Sequence, residues 1–418
     1  MKIQKLKIIQ ANNYFYYRGG AESCYFAIMR LLASMGHDVF PFSTKNKFNC
    51  ASPYESCFAE TFDPDALRLL PLPDKIGMAL RTIYSFETKR RMSRFLERTS
   101  PDLAHCHNIY GALSPSVLCA FKERGLPVVM TVHDVKLLCP NHRMYIEHAA
   151  CERCKINRFY NCAFHKCMGQ SMAASVLGCV ESYIHRFLKV YRRNVDVFIT
   201  PSVFLRAKLI EYGFPADQII SVPNFINVGV YSPDYEYGDY VIFFGRLEET
   251  KGLNILMDAA SELKGVVKIV VAGSGPMEAD LRRRIVERDV DNVRLLGNVE
   301  HGKGLIDLIR NSMFSVVPSI WHENFPQSIL ESYACGKPVI GANIGGIPEM
   351  IDDGETGMLF QASDAEDLAK KIRFMIGNRS LVAQMGRAAR KKVMDEYLPE
   401  IHYERMCAVY SKLLGNRQ

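Results

Sequence analysis

Four short segments between Phe243 and Glu349 carry residue types that can hold a phosphorylated ligand. Phe244-Gly245-Arg246-Leu247, followed by Thr250-Lys251-Gly252, leaves an apolar run with a guanidinium and an ammonium beside an expected helix start. Both cations and the free N–H groups of a helix N-terminus attract a diphosphate. Ala272-Gly273-Ser274-Gly275-Pro276 is a second turn, whose glycines let backbone approach a ligand closely. In Glu323-Asn324-Phe325-Pro326-Gln327-Ser328-Ile329-Leu330-Glu331, Pro326 suits the first turn of a helix. Glu331 then lies about 7 Å further along that helix, at about 1.5 Å per residue. Gly345-Gly346-Ile347-Pro348-Glu349 is another glycine turn before a short helix.

The first half offers different chemistry. Arg18-Gly19-Gly20-Ala21-Glu22 stands between an expected strand and helix, and His105-Cys106-His107-Asn108 and Thr131-Val132-His133-Asp134 each end a strand. Strand ends are where a parallel sheet keeps its reactive groups, which favours a functional role for His133 and leaves His107 open. Downstream come Cys139, Cys151, Cys154, Cys162 and Cys167. The spacing of Cys151, Cys154, Cys162 and Cys167 is compatible with tetrahedral structural zinc, with His142, His148 and His165 as substitutes. A reduced, cysteine-rich loop is the alternative. Two D-x-D triplets, Asp63-Pro64-Asp65 and Asp289-Val290-Asp291, read as turn and capping residues, so no catalytic metal is expected.

These residues need a scaffold of alternating strands and helices. Apolar runs predict strands at Lys7–Ala11, Val39–Phe42, Leu103–Cys106, Val128–Val132, Val195–Thr200 and Ile219–Val222 in the first half. The second half repeats the rhythm from Tyr240–Phe244 to Gly357–Phe360, and helices fill the intervals, among them one continuous stretch over Ser171–Tyr191. That alternation implies two α/β, Rossmann-like doubly wound domains with parallel sheets, facing each other across a cleft that holds the ligand. Pro223–Asn227 supplies turn residues for a hinge. The expected division is residues 1–223, carrying a cysteine-rich insert at about 139–167, then 224–397, then a C-terminal helix over 398–418 that crosses back.

A chain of 418 residues with 48% hydrophobic and 23% charged composition is that of a globular protein of about two domains. Ile8-Ile9 is too short for a secretory core, and no run of about 18 apolar residues predicts a membrane span. Thirteen cysteines without a leader point to a reducing, cytoplasmic setting. Lys and Arg outnumber Asp and Glu 29 to 18 over residues 1–226 and are outnumbered 23 to 27 over 227–418. Part of the basic excess lies in Lys75–Arg98, whose mixture of cations and apolar residues suits either a helix on an anionic membrane or a solvated helix face. No aromatic stacking array or recognised motif supports nucleic-acid binding.

Taken together, the second-half segments resemble the retaining glycosyltransferase family numbered four, of the GT-B fold. The frame E-x-F-P/G-x-x-x-x-E-x-x-A-x-G-x-P-V-I is filled by Glu323, Phe325, Pro326, Glu331, Ala334, Gly336, Pro338, Val339 and Ile340. The resemblance implies that Arg246 and Lys251 bind the donor diphosphate and that Glu331 holds ribose hydroxyls. It also implies that Glu323 and the backbone after it (Asn324, Phe325, Pro326) hold the transferred sugar. Gly245, Gly273, Gly275, Gly19 and Gly20 would approach the donor phosphates, and His133 would face the reacting sugar. The implied reaction moves a hexose, with retention, from UDP-sugar or GDP-mannose to a lipid-linked or polysaccharide acceptor at the inner membrane face, without a catalytic metal. An epimerase of the UDP-N-acetylglucosamine type shares the fold but is not expected to show the paired glutamates.

Overall fold

The computed structural model describes residues 4–60, 71–236, 238–300 and 302–415, the side chains of 72–76 excepted. The chain forms two compact units: Met1–Arg143 with Glu152–Val222 and Tyr403–Gln418, and Met144–Cys151 with Pro223–His402. The last helix, Pro399–Gly415, begins in the second unit and ends in the first.

The first unit is built on strands β1 (Lys7–Ala11), β2 (Asp38–Phe42), β3 (Leu103–Cys106), β4 (Val128–Thr131), β5 (Val197–Thr200) and β6 (Ile219–Ser221). They pair in parallel in the order β2-β1-β3-β4-β5-β6. β3 and β4 are buried along their whole length, as expected of strands covered by helices on both faces. The topological switch falls between β1 and β3, so the loops leaving those strands are where a ligand is expected.

The second unit carries β7 (Tyr240–Phe244), β8 (Lys268–Ala272), β9 (Val293–Gly297), β10 (Ser315–Val317), β11 (Val339–Ala342) and β12 (Gly357–Phe360). Their order, β9-β8-β7-β10-β11-β12, is that of a Rossmann sheet. Its core packs Val241, Phe243, Ile269, Val316 and Ile340 against Leu253, Leu256, Ile329, Tyr333 and Leu368 from the helices. Here the switch falls between β7 and β10, the strands that lead to Arg246 and to Glu323.

Three local expectations are corrected. The stretch Ser171–Tyr191 is two helices, Met172–Phe187 and Val190–Asn194, separated at Lys189, whose φ of 53° no continuous helix accepts. Pro326 is the extended N-cap residue (φ −67°, ψ 120°) of the helix Gln327–Ala334, so it ends the approach loop and lies outside the first turn. The basic segment is also two helices, Leu72–Ile83 and Phe86–Thr99, because Ser85 caps the second by accepting from Thr88 N–H at 3.1 Å. Within it Lys89 pairs with Glu123, and Arg91 with Glu87 and Glu60, while Met92, Phe95 and Leu96 are buried. That is the arrangement of a solvated helix face over an apolar stripe. Lys75 and Ile76, like Asp63 and Asp65, lie outside the described side chains.

Candidate active site

In the second unit the four sequence segments converge because glycines let their backbones touch. Gly273 (φ 149°) sits so close to the Gly245 carbonyl that a Cβ there would come within 1.8 Å of its oxygen. Gly345 packs likewise on Glu323, a Cβ meeting its carbonyl at 2.5 Å, and the Gly346 N–H donates to that carbonyl at 2.7 Å. The loops after β7 and β8 are thus fixed to one another, and the loop after β10 is fixed to the one after β11.

These loops carry the charges. Lys251 Nζ lies 2.5 Å from Glu323 Oε1, which also accepts from Ser319 Oγ at 2.8 Å. Glu323 is only 6% exposed. Burial pushes its carboxyl up, but Lys251 and the hydroxyl of Ser319 outweigh this and hold it below the ordinary range. The Lys251 ammonium also stands 5.8 Å from the ring centre of Trp321. Arg246 is different: its side chain is 62% exposed, and its carboxylate neighbour Glu248 stands at 3.5 Å. It keeps a guanidinium in solvent, ready for an anionic ligand.

Glu331 lies on the helix Gln327–Ala334 and accepts from Tyr231 OH at 3.4 Å. Desolvation raises it to about 7, so at neutral pH it is only partly ionised. The two glutamates of the frame therefore have opposite electrostatics: Glu323 is a fixed anion, and Glu331 is a carboxyl that would gain from a hydrogen-bonding partner for its charged form. Asn324, Phe325 and Pro326 connect them, and Phe325 is buried against Tyr397 with ring centres 5.6 Å apart.

In the first unit Gly19 is the extended N-cap of the helix Gly20–Ser34 (φ −171°). A Cβ on Gly19 would make only ordinary contact with Glu22, and one on Gly20 would meet nothing within 4 Å. Space is open above this turn.

The histidines at the strand ends form a connected array. His133 Nε2 is 2.8 Å from His107 Nδ1, and His107 Nε2 is 2.6 Å from Gln10 Oε1. Gln10 Nε2 reaches His105 Nδ1 at 3.3 Å, Tyr410 OH reaches the same nitrogen at 2.8 Å, and His105 Nε2 meets Thr131 Oγ1 at 2.7 Å. An amide oxygen only accepts, so His107 carries its proton on Nε2 and offers Nδ1 as an acceptor. His133 then donates from Nε2 and presents an unprotonated Nδ1. Burial lowers His133 to about 4, keeping it neutral near pH 7, while burial raises its neighbour Asp134 to about 6.

His107, left open by its sequence position, thus holds His133. Gln10 and Tyr410 were not singled out in the sequence. A glutamine inside the apolar strand Lys-Ile-Ile-Gln-Ala was the available signal for the first, and the contact of Tyr410 depends on tertiary folding across 305 residues.

The insert's cysteines are free thiols in this structure. The free thiol of Cys154 hydrogen-bonds with that of Cys139, and the free thiol of Cys162 with that of Cys167, while Cys151 belongs to the segment Met144–Cys151 of the second unit. The neighbouring thiols, and then burial, push Cys154 and Cys162 up. Among the described residues no three His, Cys, Asp or Glu side chains are already gathered to hold a metal ion. Asp289 takes a left-handed φ of 49° and pairs with Lys264 at 3.0 Å, a turn role.

The model of Glycosyltransferase Family 4 matches residues 18–230, and that of Glycosyl transferases group 1 matches residues 233–392. The chain belongs to glycosyltransferase family 4. It is 30% identical over 202 residues to an uncharacterised glycosyltransferase of Methanocaldococcus jannaschii, covering 48% of this chain and 55% of that one. It is 24% identical over 250 residues to the amylovoran biosynthesis glycosyltransferase AmsK of Erwinia amylovora, covering 56% and 60%. The matches thus span only somewhat over half of those relatives' lengths. Among solved structures, Anabaena HepE in complex with UDP and glucose superposes with a TM-score of 0.66 at 16% identity, over 97% of this chain and 100% of that one. This likeness shows the GT-B fold, two Rossmann-like halves. Among the described residues no helix is long and apolar enough to cross a membrane.

Proposed function

We propose that this family member moves a hexose, with retention of anomeric configuration, from a nucleotide diphosphate sugar to a lipid-linked or polysaccharide acceptor. UDP-sugar is the favoured donor and GDP-mannose the second choice, and the chain works peripherally at the cytoplasmic face of the membrane. The observation that carries the donor side is the part-buried Lys251–Glu323 pair, with the solvent-exposed Arg246 and the protonatable Glu331 in the same unit. The UDP and glucose in the Anabaena structure and the amylovoran role in the name of the Erwinia relative are consistent with this reading.

Breaking the bond between sugar and diphosphate puts negative charge on phosphate and positive charge on the anomeric carbon. Arg246 and Lys251 stabilise the phosphate, and the backbone at Gly19, Gly20, Gly245, Gly273 and Gly275 lets it approach. Lys251 does so while paired with Glu323, so the glutamate fixes the ammonium's position and leaves its remaining hydrogens for the ligand. Glu323 and the backbone of Asn324 and Phe325 orient the sugar hydroxyls, and Glu331 takes the ribose diol. Neutral His133 offers its Nδ1 lone pair to a sugar hydroxyl. The departing phosphate accepts the acceptor's proton, so no carboxylate nucleophile and no metal ion enters the scheme. Thermal-shift screening against UDP, GDP and ADP and their sugars, followed by product analysis, tests it: stabilisation by UDP-hexose and an α-linked product from an α-donor are expected. Failure of every nucleotide to stabilise the chain would overturn the donor assignment.

The insert's zinc set, Cys151, Cys154, Cys162 and Cys167, stays a proposal. An ion would have to draw these thiols together, and elemental analysis of folded protein without stoichiometric zinc would remove the idea.

A further inference from the structure

The first unit contains a small, partly open cavity that the donor chemistry does not use. Arg186, Lys189 and Arg192 line it, together with His185, Tyr191 and Phe214. In one continuous helix, Arg186 and Arg192 would stand about 120° apart around the axis, at about 100° per residue. The left-handed Lys189 between the two helices removes that separation. Both guanidinium groups then lie over the Phe214 ring, at 5.3 and 5.0 Å from its centre. Both also crowd Gly213, where a Cβ would meet Arg192 Nη2 at 3.0 Å and Arg186 Nη2 at 3.3 Å.

Two like charges held this close call for an anion. Arg186 donates to the Tyr212 carbonyl, and neither arginine has a carboxylate within ion-pair distance among the described residues. The carboxylate near the cavity, Glu181, is taken up by Lys136 at 2.9 Å and by His185 at 3.9 Å. Arg192 Nε and the hydroxyl of Tyr191, a residue 7% exposed, are buried without a hydrogen-bond partner. Buried donors of this kind destabilise the fold when they are left unsatisfied. Desolvation, and then the charge of Arg192, lowers Arg186 to about 10, so the pair is stabilised by any ligand that supplies negative charge.

We propose that this cavity binds the phosphate or diphosphate group of the acceptor, with Arg186 and Arg192 as a guanidinium pair and Tyr191 as a neutral donor. The inference rests on the reading of the chain as a glycosyltransferase and deepens it on the acceptor side. Lys136, which also lines the cavity, follows His133 by three residues, a reach of at most about 11 Å along the chain. Phe159 of the cysteine-rich insert forms part of the wall and packs with Cys154 and Cys179, giving the insert a role in shaping the site.

The test is calorimetric titration of the full chain with inorganic pyrophosphate after saturation with UDP. One pyrophosphate site is expected, weakened about tenfold or more by Arg192→Gln. Lys189→Gly, which keeps the left-handed turn and removes the charge, should weaken it less, and Arg192→Lys should fall between. Arg246→Ala should leave it unchanged. Loss in Arg246→Ala with retention in Arg192→Gln would overturn the proposal by placing the site with the donor, and so would the absence of any pyrophosphate site. If UDP itself fails to bind, the donor reading falls, while the Arg192 dependence still decides the cavity. A parallel titration with farnesyl diphosphate separates the sources: tighter binding than pyrophosphate assigns the group to a lipid-linked acceptor, and equal binding to a phosphorylated glycan.

Discussion

Glu331→Gln should stabilise the ligand-free protein at alkaline pH while weakening the donor complex. The carboxyl is raised from 4.5 to about 7 by desolvation. A carboxyl raised in the folded state opposes folding once it ionises: the cost is absent below its unfolded value of 4.5 and complete above its folded value of about 7. Linkage between those values gives about 1 kcal/mol of lost stability at pH 5 and about 3 kcal/mol at pH 8, a change of about 2–3 kcal/mol. Allowing for solvent screening at its partly exposed edge leaves about 2 kcal/mol. Gln is close to the protonated form in shape, still accepts from Tyr231 OH and does not titrate. Trp321, the chain's single tryptophan, lies in the second unit beside Lys251, so its fluorescence reports the unfolding of that unit. Urea midpoints of wild type and Glu331→Gln followed at Trp321 should diverge by about 2 kcal/mol between pH 5 and 8, the variant gaining. UDP affinity of the wild type should rise over the same interval as the carboxylate forms, and that of the variant should stay flat and weak. Parallel stability curves for the two proteins would show that Glu331 is not desolvated, and the argument would fail.

Lys251→Met leaves Glu323 buried without its cation and should cost about 3 kcal/mol of stability in the same Trp321 assay, besides lowering turnover. Arg246→Ala, at an exposed position, should lower kcat by more than it changes stability, which should move by less than about 0.5 kcal/mol. Gly273→Ala puts a Cβ against the Gly245 carbonyl at a φ of 149° and should cost at least about 2 kcal/mol and abolish UDP binding, read by thermal shift. Because burial lowers His133 to about 4, the log kcat/KM profile should show no inflection from this residue between pH 5 and 8, whereas His133→Ala should still lower the rate at every pH. An inflection near 6.5 that disappears in His133→Ala would refute the neutral-histidine reading.

The strands were legible because parallel sheets covered on both faces need continuous apolar runs, and Leu103–Cys106, Tyr240–Phe244 and Lys268–Ala272 are short, apolar and bounded by turns. The donor-side glycines and glutamates were legible for a related reason: they sit where those runs end. What the sequence concealed depends on contacts distant along the chain. Gln10 and Tyr410 meet His105 from positions 95 and 305 residues away, and local pattern cannot show that pairing. The thiol contact between Cys139 and Cys154 spans 15 residues and is likewise invisible to local spacing.

Lys189 is the most instructive miss. Leu-Lys-Val-Tyr-Arg-Arg contains no glycine or proline, so helix propensity runs through it and predicts a single helix. Propensity differences of a few tenths of a kcal/mol per residue are smaller than the about 1–2 kcal/mol that a left-handed non-glycine residue costs, so tertiary contacts must enforce the break. Those contacts include Arg186 and Arg192 converging on Phe214 and on the Tyr212 carbonyl. A strained residue that gathers two charges without an acid between them is stabilised when an anion arrives, which makes the break itself testable. Pyrophosphate should raise the melting temperature of the wild type more than that of Arg192→Gln, and Lys189→Gly should melt higher than the wild type without ligand. If Lys189→Gly melts lower, the left-handed turn is not the source of strain, and convergence of the arginines needs another cause.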